Sequence, residues 1–166
     1  MKKIIAVLMV LVFVLGFAGC GGDGGSADSG DSVSINAGEF AAEDLANYIY
    51  SNVEFKDYME GVDAGVLNDI YGIDAGMVKD EFAYFSTGAT AEEITVVTLN
   101  NAEDMAAMKE IYQNRIDAQK SGFENYVPEE LTKLESPVIL EAGNSLVMVV
   151  CDDAASAEAA VTDFFK

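Results

Sequence analysis

Two short runs restrict the fold of this 166-residue chain more than any other feature: Glu93 to Leu99 (EITVVTL) and Leu146 to Cys151 (LVMVVC). Nearly every position in them is apolar or β-branched, and a strand with so few polar positions belongs in the interior of a sheet. Each run has a partner before it. Glu81 to Ser86 (EFAYFS) precedes the first across a loop holding Gly88. Val138 to Glu141 precedes the second across Gly143-Asn144, a two-residue hairpin signal. Each run is also followed by a polar cap and a helical stripe. Asn100-Asn101 leads into Met105, Met108, Tyr112 and Ile116, and Asp152-Asp153 leads into Ala157, Ala160, Val161, Phe164 and Phe165. Residues 81–120 and 137–166 thus share one plan, strand, turn, strand, cap, helix. The expected fold is α+β: a four-stranded, mainly antiparallel sheet built from two ββα units, with helices packed on one face.

Short helices are expected ahead of these units. Leu45, Tyr48, Ile49 and Val53 share a helical face. A second helix capped by Asp63 carries Val66, Leu67, Ile70 and Tyr71 and is closed by Gly72, and Asp74 starts a further turn with Met77 and Val78 inward. Between the two units Pro128 opens a short helix bearing Leu131 and Leu134, which Ser136-Pro137 breaks.

The N-terminus reads as an address. Lys2 and Lys3 precede an apolar run from Ile4 to Ala18, and Leu15-Gly16-Phe17-Ala18-Gly19-Cys20 follows the pattern of a lipobox. Ala18 and Gly19 supply the small side chains that cleavage before Cys20 requires, while Phe17 stands where a branched aliphatic residue is usual. The run of 15 residues suits a secretory leader and falls short of the roughly 20 needed to span a bilayer. The expected layout is a signal peptide at 1–19, a lipidated Cys20 with a flexible tether at 20–38, and one α+β domain at 39–166. Gly21 to Ser34 (GGDGGSADSGDSVS) cannot bury enough apolar surface to offset ordering. As a coil it holds the domain about 20 Å from the membrane on average. The expected location is the outer face of the cytoplasmic membrane, with the lipid on Cys20 as the membrane contact.

The chain has 29 acidic against nine basic residues, and loss of Lys2 and Lys3 with a leader leaves seven. So acidic a domain offers no electrostatic footprint for nucleic acid and is repelled by anionic lipid. With Cys20 lipidated, Cys151 has no partner within the chain and reads as a small core residue. Histidine is absent, which removes Ser-His and Cys-His nucleophiles and the commonest general base. There is no P-loop, GxGxxG, CxxC or GxSxG pattern, and Asp63, Asp69 and Asp74 lack calcium-loop spacing. No catalytic residue, metal site or cofactor is expected, and no enzymatic activity.

YGID at 71–74, Glu93-Ile94 opening a strand, FENYVPEE at 123–130 and Gly143-Asn144 occur in this order. Together they resemble a family of small Gram-positive lipoproteins known as domain of unknown function forty-three fifty-eight. The similarity covers roughly Ala42 to Phe165. It implies a membrane-tethered domain of unassigned activity and carries over no catalytic residue.

Tyr71, Phe123 and Tyr126 in the YGID and FENY stretches are the candidate binding residues, since aromatic faces there suit a peptide or glycan. The expected function is a membrane-tethered binding or interaction module for an envelope protein, peptide or glycan. The alternative is a carboxylate-dependent hydrolase of cell-wall material. Two acids facing each other across a deep cleft would favour the hydrolase, and a shallow aromatic surface without such a pair would favour binding.

Overall fold

The computed structural model describes residues 34–166. The expected leader, Cys20 and the tether up to residue 33 lie outside them. Along the described chain run β1 (Ser34–Ile35), α1 (Ala42–Asn52), β2 (Met59–Val62), α2 (Ala64–Tyr71), β3 (Val78–Ser86), β4 (Glu93–Leu99), α3 (Met105–Phe123), α4 (Leu131–Glu135), β5 (Val138–Ala142), β6 (Ser145–Val150) and α5 (Ala154–Phe164). The architecture is mixed α+β around one mostly antiparallel sheet of order β1-β5-β6-β4-β3-β2.

The two apolar runs pair with each other at the centre of the sheet, Ile94 opposite Val149 and Val96 opposite Val147. The expected hairpins flank them, with Phe82 opposite Val96 and Leu140 opposite Val147. Gly143 turns the second hairpin in the left-handed region at φ 60°. Gly72 closes α2 at φ 69°, its N–H bonded to the Asn68 carbonyl.

Two parts of the expected fold need correction. The sheet has six strands instead of four. β2 adds to one edge, antiparallel to β3, and β1 adds to the other, parallel to β5. The signal for β2 was weak because Met59-Glu60-Gly61-Val62 mixes a strand-averse glycine with a charge. That glycine has a purpose, since a Cβ at Gly61 would stand 3.0 Å from the Phe82 ring lying across the strand. β1 lies inside the segment expected as tether (20–38), and the Ile35 carbonyl accepts from the Gly143 N–H.

The second correction concerns layers: helices cover both faces of the sheet. Ala42, Leu45, Ala46 and Ile49 of α1 and Ala157, Ala160 and Val161 of α5 pack with Ile94, Val96, Val147 and Val149. On the other side Leu67 and Tyr71 of α2, Met108, Tyr112 and Ile116 of α3 and Leu134 of α4 pack with Val97, Leu99, Leu146, Met148 and Val150. Successive strand residues point to opposite faces, so β4 and β6 are apolar throughout because each has a helical layer on either side. The ββα pseudo-symmetry fails for the same reason. Exchanging antiparallel β4 and β6 requires a two-fold axis normal to the sheet, and such an axis would put α3 and α5 on one face.

α2 departs from its expected pattern in burying only Leu67 and Tyr71, while Val66 and Ile70 are exposed. Neither Asn100 nor Asn101 caps α3 through its side chain. Asn100 instead donates to the carbonyls of Gly76 and Val78, fastening the start of β3 to the end of β4. Cys151 is buried, its thiol donating to the Asp153 carbonyl, and burial pushes its pKa up to about 11.

Candidate functional site

Glu92 and Glu93 stand where the β3–β4 connection enters the central strand, and both are buried. An ionised side chain survives such burial only when paired and hydrogen-bonded. Two separate constellations do this.

Around Glu92 the backbone N–H groups of Lys56 and Asp57 donate at 3.0 and 2.9 Å, Thr90 Oγ1 at 3.0 Å and Lys133 Nζ at 3.1 Å. Lys133, itself buried on α4, also reaches Glu130 at 2.9 Å, and Glu130 accepts from the Ala91 N–H at 2.9 Å. One ammonium thus joins α4, the loop after α1 and the approach to β4. At the rim Asp57 accepts from the Thr87 N–H and hydroxyl, and the hydroxyl bond is the main cause of its lowered pKa.

Glu93 points to the α3 side. It accepts from Arg115 Nε at 3.2 Å and Nη2 at 2.7 Å, from Thr95 Oγ1 at 3.2 Å, and through short bonds from Tyr71 Oη and Gln119 Nε2. The Arg115 guanidinium lies 5.6 Å from the Tyr71 ring centroid and 5.4 Å from that of Phe85, a cation–π arrangement. The two rings are stacked at an interplanar angle of 13°. Burial and the neighbouring Glu93 charge push the Tyr71 hydroxyl well above its ordinary pKa, so it remains a donor.

Above these groups is a hollow of about 280 Å³ between the β3–β4 loop and the C-terminal half of α3. Phe85, Thr87, Gly88, Thr90, Arg115 and Phe123 line it, with both glutamates and Gln119 in its walls. Its size is near the lower end for small-ligand sites. A broader depression of about 990 Å³ lies at the opposite end of β4. There Lys79 pairs with Glu39 at 2.9 Å and Asp80 accepts from the Ala42 N–H at 2.7 Å. That depression is larger, yet the small hollow is the one built over convergent charged side chains.

A carboxylate offers about four lone-pair sites. Glu92 receives four donors and Glu93 five. The lone-pair sites of both carboxylates are thus taken up by donors of the protein itself. Among the described residues no group of three or more Cys, Asp or Glu side chains is placed to hold a metal ion.

The three aromatic residues expected to form a surface divide. Phe123 is half-buried and lines the hollow. Tyr126 follows shortly after on the outside, 73% exposed. Tyr71 is buried beneath Arg115 and supports the site from below. Cys20 lies outside the described residues. Sequence reasoning missed Glu92, Glu93, Arg115, Gln119, Glu130 and Lys133. The available signals were two adjacent acids opening an apolar strand, and the chain's one arginine set four residues before Gln119 on the buried stripe of α3.

A family model described as Domain of unknown function (DUF4358) matches residues 51–151, from the end of α1 to the residue after β6. This is more than half of the chain, and the protein belongs to that family. Its matched span includes both charged constellations and the hollow between them. No curated protein and no solved structure matches the chain.

Proposed function

We propose that this protein is a lipid-anchored extracytoplasmic binding module. It is held at the outer face of the cytoplasmic membrane through Cys20 and captures an envelope protein, peptide or glycan at the hollow beside Phe123. The observation that carries the reading is the saturation of Glu92 and Glu93. The acids nearest the hollow are spent on holding its walls, while Phe85, Phe123 and the Arg115 edge face a ligand. A hydrolase of cell-wall material would need one carboxyl ready to donate a proton and another ready to act as base or nucleophile, so that alternative has less support. The acidic chain argues against nucleic acid, and no helix among the described residues is long and apolar enough to cross a membrane.

The address is tested by fatty-acid labelling and fractionation of Cys20→Ala in its native host. Label and stable membrane retention of the processed form should both be lost, and label persisting on the variant would overturn the anchor. The binding surface is tested by cross-linked capture from envelope extracts, comparing the wild type with Phe123→Ala and Tyr126→Ala. Capture should fall about tenfold or more for Phe123→Ala, in line with an aromatic contact residue. Tyr126→Ala should leave the melting temperature unchanged because its ring is in solvent. Hydrolysis of wall fragments by the purified domain, abolished by Glu92→Gln or Glu93→Gln, would replace the binding reading with the enzymatic one.

A further inference from the structure

Two buried oxygen atoms among the described residues have no hydrogen-bond partner, and they belong to side chains already bonded to each other. Asn68 on α2 donates its Nδ2–H to Glu81 Oε1 on β3 at 2.9 Å, which leaves Asn68 Oδ1 and Glu81 Oε2 unpaired. Both orphans are acceptors, so exchanging O and N in the Asn68 amide leaves the same deficit. Neither orphan has a donor, and a proton on Glu81 is the one donor the pair itself can supply. A carboxylic acid and a primary amide can close a ring of two bonds, N–H to carboxyl oxygen and O–H to amide oxygen, and one proton on Glu81 supplies the missing donor.

We propose that Glu81 is a proton-binding site that latches α2 onto the sheet, closed when Glu81 is protonated and half-open when it is ionised. The surroundings favour the neutral form. Desolvation is the main cause raising the Glu81 pKa, the Asn68 bond opposes it, and Asp80 on the same strand adds to the rise. From α3 the charge-sensitive group coupled to Glu81 is the Tyr112 hydroxyl, held neutral by burial. From α2 the facing group is uncharged Asn68, and its neighbour Asp69 is exposed. Opposite Glu81 on β4 stands Val97.

The sign follows from the raised pKa. Between the unfolded value, near 4.5, and the higher folded value the native state binds the extra proton. The latch therefore contributes fully below the unfolded pKa and is lost as pH rises through the folded one. This runs against ordinary acid destabilisation. It also reaches the hollow, because Tyr71 ends α2 less than one turn beyond Asn68 and both braces Arg115 and donates to Glu93.

The test is amide hydrogen exchange across Leu67–Tyr71 at pH 7.5 and at pH 4, below the unfolded pKa, corrected for intrinsic rates and read relative to α5 in the same molecule. The wild type should gain protection in α2 at the lower pH. In Glu81→Gln the amide supplies the missing donor at every pH, so α2 should be protected at pH 7.5 as the wild type is at pH 4, and the pH dependence should vanish. Asn68→Leu should lose the pH dependence without gaining protection at pH 7.5. A wild-type α2 whose relative protection is equal at both pH values, or a Glu81→Gln variant that keeps the pH dependence, would overturn the proposal. So would tighter α2 protection at pH 7.5 on adding calcium or magnesium, which would identify the orphan oxygens as cation ligands.

Discussion

Lys133→Met is expected to cost about 3–5 kcal/mol of stability, enough to leave a domain of this size marginal or unfolded. The thioether occupies nearly the same volume as the lysine stem, so little of the loss is packing. The ammonium is the shared partner of Glu92 and Glu130, both buried, and its removal leaves the two carboxylates without the cation bonded to both. Urea denaturation should show the midpoint shifted far down at neutral pH. A variant as stable as the wild type at neutral pH would show that water reaches the constellation and screens it.

The second large effect is expected at Glu93. Glu93→Leu leaves the Arg115 guanidinium without its carboxylate and strands Gln119 Nε2, while the Tyr71 hydroxyl keeps only Thr95 Oγ1 at 2.8 Å, again at about 3–5 kcal/mol. Glu93→Gln keeps an acceptor and should cost less, while Arg115→Met combined with Glu93→Leu should recover part of the loss, because replacing both members of a buried pair is far milder than removing one. Thermal melts of the three variants check the order. If the double variant is the least stable, the cation–π contacts of Arg115 with Tyr71 and Phe85 outweigh the ion pair.

These two side chains also mark the limit of what the sequence conveys. The central placement of β4 and β6, both hairpins, the Gly72 stop and the Pro128 start were legible because each rests on local chemistry, a run of β-branched residues or a glycine where φ must be positive. The same runs also bear on the layering. Val97 and Val96 are adjacent and both buried, which demands a cover on each side of the strand and rules out helices on one face alone. The charged constellations had no local signature. Lys133 sits in LTKLE, which reads as an ordinary amphipathic turn, and its partner Glu92 is 41 residues away. Tyr71 was expected on a binding surface, and only the fold shows that its ring is buried beneath the site.

The strand order has a consequence for how the chain assembles. β6 sits between β5 and β4, so before residues 145–150 are in place the remaining strands form two separate fragments, β1 with β5 and β4 with β3 and β2. The centre of the sheet is nearly the last part of the chain to be made, followed only by α5. Until then Ile94, Val96 and Val97 have one open edge and no β6 partner, and the long-range pairing that joins the halves must wait for the C-terminus. A polypeptide with this topology completes the centre of its sheet only when almost all of it has been made.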